Sequence, residues 1–200
     1  MSSTTEVPVS VTTKSLVATF KQNKDLSSSV DEVLKVQGVA WTIRMALRYA
    51  PVTLQGNLYL DEDGVEHYDI LMLLPAGAKS DEPRILDFRM REKVSPVFGP
   101  VFSQSKRVTI AQAAEIFPFL AQGWDDTTQE TGLIYAHAEG NPLKKNGHEW
   151  DSHQTFGFAI IQVDEKKTER KYVARLVFNA PGMPQPVEKR LVYDFVREGL

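Results

Sequence analysis

The sequence predicts a mainly β chain, an up-and-down antiparallel barrel of about ten strands served by a single helix pair. Three observations carry this. From Val52 onward the apolar residues recur mostly with period two, in segments separated by short turn-forming stretches. Only one sustained helical pattern occurs, between Ser27 and Pro51. Closure of the sheet is the economical arrangement, because it removes the exposed strand edges.

Residues 1–13 are rich in Ser and Thr and are expected to form a loose tail, leaving 14–200 as a single barrel domain. Lys14–Lys21 (KSLVATFK) has the β-branched and aromatic content of a first strand. After the polar NKDLSSS, Ser29 and Glu32 have the spacing of a capping box, which predicts a short helix starting there. Gly38 suits the joint to a second helix, from about Val39 to Tyr49, which Pro51 ends. That helix has Val39, Ile43, Ala46 and Leu47 on one face and Trp41, Met45 and Tyr49 on another. So little polar surface implies cover on both sides, or one side that meets an apolar molecule. Arg44 and Arg48 form a narrow basic edge, read most simply as solvated. A helix pair beside so many strands can fill the sheet's face, plug its end or cover its mouth, and the number of short-turn strands favours covering.

VTLQGNLYLD places Val52, Leu54, Leu58 and Leu60 on one face, and Asp61–Gly64 is a hairpin turn. HYDILMLLPA follows, then a loop, GAKSDEP. RILDFRMRE alternates strictly and predicts a strand with Leu86, Phe88 and Met90 opposite Asp87, Arg89 and Arg91. A further strand bends at Gly99–Pro100, a helical turn or two begins at Ala111, and an acidic loop (WDDTTQE) precedes TGLIYAHAEG. Three more strands follow, joined by EKKTER and by PGMPQP.

Composition excludes several functions. The net charge of −3 argues against a nucleic-acid surface. The absence of cysteine excludes disulfides, Cys-based zinc sites and thiol nucleophiles. No secretory signal, long apolar span, glycosylation sequon or prenylation box is present, so the expectation is a cytoplasmic protein with no stable membrane insertion. No serine-nucleophile elbow, phosphate loop or dinucleotide fingerprint occurs, and no cofactor is expected. The oligomeric state is left open.

The segment VDEVLKVQGVAWTIRMALRYAPVTL, with Asp31, Glu32, Leu34, Lys35, Gly38, Val39, Trp41 and Arg44, resembles the helix-turn-helix and following strand of the calycins, within them the intracellular fatty-acid- and retinoid-binding proteins. A basic residue shortly before Tyr193 is similar to that group's last strand. The resemblance is specific over about thirty residues and architectural elsewhere. It implies a barrel around a cavity, the helix pair as a lid, and a hydrophobic small-molecule ligand. It also implies an inward Tyr193 and a membrane-collision role for the basic edge. One departure matters: the group's carboxylate clamp is Arg-x-Tyr, whereas Arg190 and Tyr193 lie three apart, so Leu191 stands where the arginine would. The chain is also longer, mainly over 104–129 and 140–152, and is similar in character to barrels of fungal secondary metabolism.

Two functions follow. One is a barrel that encloses a polyketide, terpenoid or lipid-like molecule, lined by Trp41, Met45, Phe88, Tyr135, Phe156, Phe158 and Tyr193. The other is a cofactor-independent cyclase or isomerase of the pericyclase or Diels-Alderase type, folding a polyene or polyketide by orientation and a few donors. Tyr193, His137 and Arg89 are its candidate catalytic groups. Tyr135, His137 and Glu139 share one strand face; facing inward they could move a proton or hold a carbonyl, and facing outward they are ordinary surface polar groups. Arg89 or Arg91 could offer a donor fork to a carboxylate or enolate, or be part of an outward ion-paired face. No metal is expected at His148 and His153.

Overall fold

The computed structural model describes residues 5–200 of the chain. Ten antiparallel strands form one sheet in the order β4-β3-β2-β1-β10-β9-β8-β7-β6-β5. They are β1 (Val17–Asn23), β2 (Thr53–Leu60), β3 (Glu66–Leu73), β4 (Lys79–Glu82), β5 (Arg91–Ser95), β6 (Gly99–Val108), β7 (Leu133–Gly140), β8 (Asp151–Asp164), β9 (Lys167–Asn179) and β10 (Val187–Glu198). Because β10 pairs with β1, the sheet curls into a nearly closed barrel whose seam lies between its two end strands, β4 and β5. Side chains latch the seam: Lys93 on β5 is ion-paired with Glu82 on β4, and Arg107 on β6 holds Glu66 on β3 at 2.5 Å.

Period two decides what faces inward. Leu54, Gly56 and Leu58 of β2, Tyr68, Ile70 and Met72 of β3, and Tyr172 and Ala174 of β9 point into the barrel. Gly56 has a local reason: a Cβ there would come within 2.8 Å of the Tyr68 hydroxyl, so the bare backbone makes room for that ring. Phe20 stacks on Tyr172 with ring centroids 4.5 Å apart, and Tyr68 and Tyr172 share a buried hydrogen bond of 2.8 Å. These rings fill one end of the barrel. Residues 5–13, expected as a loose tail, pack at this end with Val7 and Val11 buried and the Val7 N–H bonded to the Arg170 carbonyl.

The other end carries the helix pair, α1 (Asp31–Val36) and α2 (Trp41–Tyr49), joined through Gly38 at φ 78°. The expected capping box is not formed. Val30 is the N-cap and offers no side-chain bond, while Glu32 turns away to ion-pair with Lys189 of β10. The residues that lengthen the chain form a second core outside the barrel. There α3 (Ile110–Ile116), a 3₁₀ turn at Pro118–Ala121 and α4 (Asp126–Thr131) bury Trp124 and Leu120 against Leu133, Ala159 and Val173. The helix α4 replaces the expected acidic loop. Asp125 caps it by accepting from the Thr128 N–H at 2.8 Å and is also in a buried ion pair with Arg170 at 2.6 Å.

One strand is absent where the sequence predicts it. Leu86–Met90 is not a strand; the chain turns there, with Phe88 at φ 58°, and β5 begins only at Arg91. Asp87 causes the turn, because its carboxylate binds the Arg89 N–H at 3.1 Å and takes both Arg91 amino groups at 2.8 and 2.6 Å. Local carboxylate bonds thus override the alternating pattern.

Candidate functional site

Inside the barrel lies a cavity of about 210 Å³, continuous with a mouth of about 500 Å³ under the helix pair. Leu34, Leu54, Phe98, Leu191 and Tyr193 border both spaces. The lid's inner side comes from α1, through Val33 and Leu34, while α2 contributes Arg44, Leu47 and Arg48 at the mouth. Trp41 points away, 66% exposed, and Met45 lines neither space, so neither meets the cavity as expected. Arg44 is not solvated either; it bonds Asp31 at 2.9 Å and ties the two helices together.

The cavity wall has two characters. Leu54, Ile70, Ala174, Leu176 and Leu191 make it apolar on the side of β2, β3, β9 and β10. Across from them a polar stripe runs along the seam: Ser80, Glu82 and Arg84 alternate on the inner face of β4 and its continuation, beside Lys93, Ser103 and Ser105. Arg84 is held beside Tyr68 by backbone bonds in both directions, 2.8 and 3.2 Å, which puts the two side chains on one face. Its guanidinium lies 5.1 Å from the centre of the Phe156 ring and donates only to the Glu82 carbonyl, at 3.2 Å. Among the described residues no carboxylate neutralises it. Two further side chains with donors border the same space. Trp150 is buried with its indole N–H unpartnered, and the Tyr193 hydroxyl makes no protein hydrogen bond among the described residues. Burial pushes the Tyr193 phenol far above its ordinary value, so it stays protonated and can donate.

The residues expected from sequence are divided by this wall. Tyr193 and Phe156 line the cavity, and Leu191 occupies the inward place beside Tyr193 that an arginine would need for a fatty-acid clamp. Phe158 is buried deeper, packed on Tyr172 and capped by Arg170 at 4.2 Å. Tyr135 and His137 stand outward. His137 borders the cavity between the inward Ala136 and Ala138, but its imidazole stacks on His153 at 4.6 Å, and His153 packs on Phe117 of the outer layer. Glu139 keeps the same outward parity. Phe88 is outside too, with Lys106 over its ring at 4.0 Å and Tyr135 at 6.3 Å. Arg89 is 81% exposed at its side chain and reaches only Asp87, at 3.7 Å, so it offers no fork to a cavity ligand. Sequence reasoning missed Arg84, Trp150, Glu82 and Lys93. The signal for Arg84 is the alternation Ser80-x-Glu82-x-Arg84, hidden inside what reads as a Pro-containing loop.

This architecture is a nearly closed, ten-stranded antiparallel β-barrel with a helix pair at one mouth, a fold it shares with solved structures. A mutant of the REP1-NXSQ fatty acid transporter superposes with a TM-score of 0.51 at 12% identity, over 90% of this chain and 98% of that one. The wild-type fluorescent protein UnaG gives 0.51 at 14% identity, over 90% and 97%. In sequence the chain is similar to the probable pericyclase scpY of Mollisia scopiformis, with 30% identity over 196 residues, 96% of this chain and 95% of that one. It belongs to the family of that protein. No family model matches. Among the described residues no helix is long and apolar enough to cross a membrane.

Proposed function

We propose that the barrel is a cofactor-independent pericyclase of secondary metabolism, which folds a conjugated polyene or polyketide in its cavity and closes a ring. The observation that carries this reading is the guanidinium of Arg84, bound to one backbone carbonyl and unpaired with any carboxylate among the described residues, on the polar side of a cavity whose other wall is apolar and aromatic. A half-buried cation with no carboxylate partner keeps its donors available, and a guest oxygen inside the cavity would complete them. A carbonyl, carboxylate or enolate conjugated to the reacting π system would accept from this fork, with Tyr193 as a further donor, and would be polarised most in the transition state. The relative named a probable pericyclase supports the same reading over nearly the whole length.

The chemistry asks for no more than this. In a cycloaddition within one molecule, two carbon–carbon σ bonds replace two π bonds, and no proton or electron is exchanged with the protein. The walls restrict the chain to a reactive fold, which removes part of the entropic barrier. The donors lower the rest.

The test is conversion of a linear conjugated precursor, from a strain lacking this protein, into a cyclic isomer of identical mass. Expected is turnover by purified protein that Arg84→Met reduces by about a hundredfold, the size of effect seen on removing one such donor. Retention of the precursor without change would overturn catalysis and leave the second reading, a carrier of hydrophobic molecules. That reading is favoured by the cavity under a helical lid.

A further inference from the structure

We infer that His137, Asp151 and His153 form a binding site for a divalent transition-metal ion, zinc foremost, on the outer wall of the barrel. The imidazoles and the carboxylate meet on the outer face of the wall that His137 shares with the cavity, and the inference does not depend on the function proposed for that cavity.

The sheet builds the constellation. In the β7–β8 ladder His137 stands directly opposite His153, and Asp151, two residues before His153, shares its face. Both imidazoles turn the same nitrogen to one carboxylate: His137 Nε2 lies 2.6 Å from Asp151 Oδ1, and His153 Nε2 lies 2.8 Å from Oδ2. The three ligand atoms lie within 4.8 Å of one another. Zinc bonds to nitrogen and carboxylate oxygen are each about 2.0–2.2 Å, so an ion seated between these groups needs small side-chain rotations and no backbone movement.

The remaining ring nitrogens are already engaged. His153 Nδ1 meets the Tyr135 hydroxyl at 2.6 Å, and His137 Nδ1 meets Gln104 Nε2 at 3.2 Å, or the amide oxygen if that group is flipped. Outer partners on the far nitrogen orient a ligating histidine and fix its tautomer. Each oxygen of the Asp151 carboxylate meets one of the two histidines, so the three groups already converge on one point. Asp151 remains partly open to solvent, which gives an ion its entry path and a fourth position for water. Two nitrogens and one oxygen select zinc, cobalt, nickel or copper over calcium and magnesium, which prefer all-oxygen shells. An ion there would staple β7 to β8 beside the Phe117 contact, behind the stretch of cavity wall made by Ala136, Ala138 and Ser152.

The experiment is calorimetric titration of the chelator-treated, dialysed full chain with zinc chloride, with calcium and magnesium chlorides as comparisons. Expected are one zinc per chain with micromolar or tighter affinity and no calcium or magnesium binding. Asp151→Asn and His153→Gln should each weaken zinc binding at least a hundredfold, and Tyr135→Phe about tenfold. Each variant's melting temperature is first measured in chelator to confirm folding; His137→Asn serves where either of the first two does not fold. Cobalt binding with visible bands, present in the native chain and absent in these variants, is the second readout. No stoichiometric zinc binding at a hundred micromolar, or binding undiminished in the variants, would overturn the site and leave a plain hydrogen-bonded network.

Discussion

Tyr68 and Arg84 face each other across the continuation of the β3–β4 ladder, their backbones bonded in both directions at 2.8 and 3.2 Å. That pairing carries the guanidinium into the barrel beside the Tyr68–Tyr172 hydrogen bond, where its charge opposes the burial that pushes the Tyr68 phenol up to about 12. Among the described residues this cation bonds one carbonyl, and the function proposed above assigns its remaining donors to a guest. Arg84→Met should leave stability within about 1 kcal/mol while removing most turnover or affinity, since the half-buried side chain makes a single hydrogen bond to the protein among the described residues and methionine keeps its apolar stem. Urea unfolding beside a turnover assay separates the two effects, and an equal loss in both would show that the arginine is structural.

Trp150 offers a sharper contrast. Its buried N–H has no partner, so Trp150→Phe removes a donor without breaking a bond within the protein. Ligand affinity should fall about tenfold if a guest carbonyl uses this N–H. Fluorescence titration of wild type and variant, with thermal melts as a control, measures it.

The helix pair yields a third prediction. Trp41, exposed on the outer side of α2, should tolerate alanine with a stability change within about 0.5 kcal/mol and unchanged ligand affinity. Leu34, buried on α1 and bordering both mouth and cavity, should cost about 2 kcal/mol or more as alanine and weaken binding as well. Paired denaturation and binding curves decide this, and a larger binding loss for Trp41→Ala would place α2 rather than α1 against the ligand.

Acid stability depends on Glu169. Hydrogen bonds from Lys167 and Lys171 lower its carboxyl from the ordinary 4.5 to about 2. A depressed folded value means the contribution is complete above about 4.5 and is lost as pH falls toward 2. Glu169→Gln should be less stable at neutral pH by about 3 kcal/mol, because it removes one of the carboxylates that ion-pair with the buried Lys171 and leaves it with Asp194. The variant should also show a shallower loss of stability between pH 4.5 and 2, measured by melting temperature.

Much of the fold was legible because its cause is local. Period-two alternation marked β2, β8, β9 and β10, Gly38 marked the helix joint, and Gly64 marked the hairpin turn with its φ of 76°. The errors have one physical source: a strand's alternation is known from sequence, but which face is inside is not. Tyr135, His137 and Glu139 were correctly grouped on one face, and the structure turns that face outward. Phe88 and Arg89 were misplaced because the Asp87 carboxylate bonds a nearby N–H and Arg91, which breaks a strand that the pattern alone would continue. The pairing of His137 with His153 depends on register between strands separated by a long loop, and spacing along the chain carries no trace of it.

The cavity's two walls differ in kind, with Glu82, Arg84 and Lys93 along the seam and Ala174, Leu176 and Leu191 on β9 and β10. A flat conjugated guest lying between them has one face toward charge and the other toward hydrocarbon. Its mirror-image fold would have to exchange the two and turn its oxygen away from the Arg84 guanidinium. Under the pericyclase reading, a ring closed between such unlike walls is expected to form with one handedness, which chiral chromatography of the product checks.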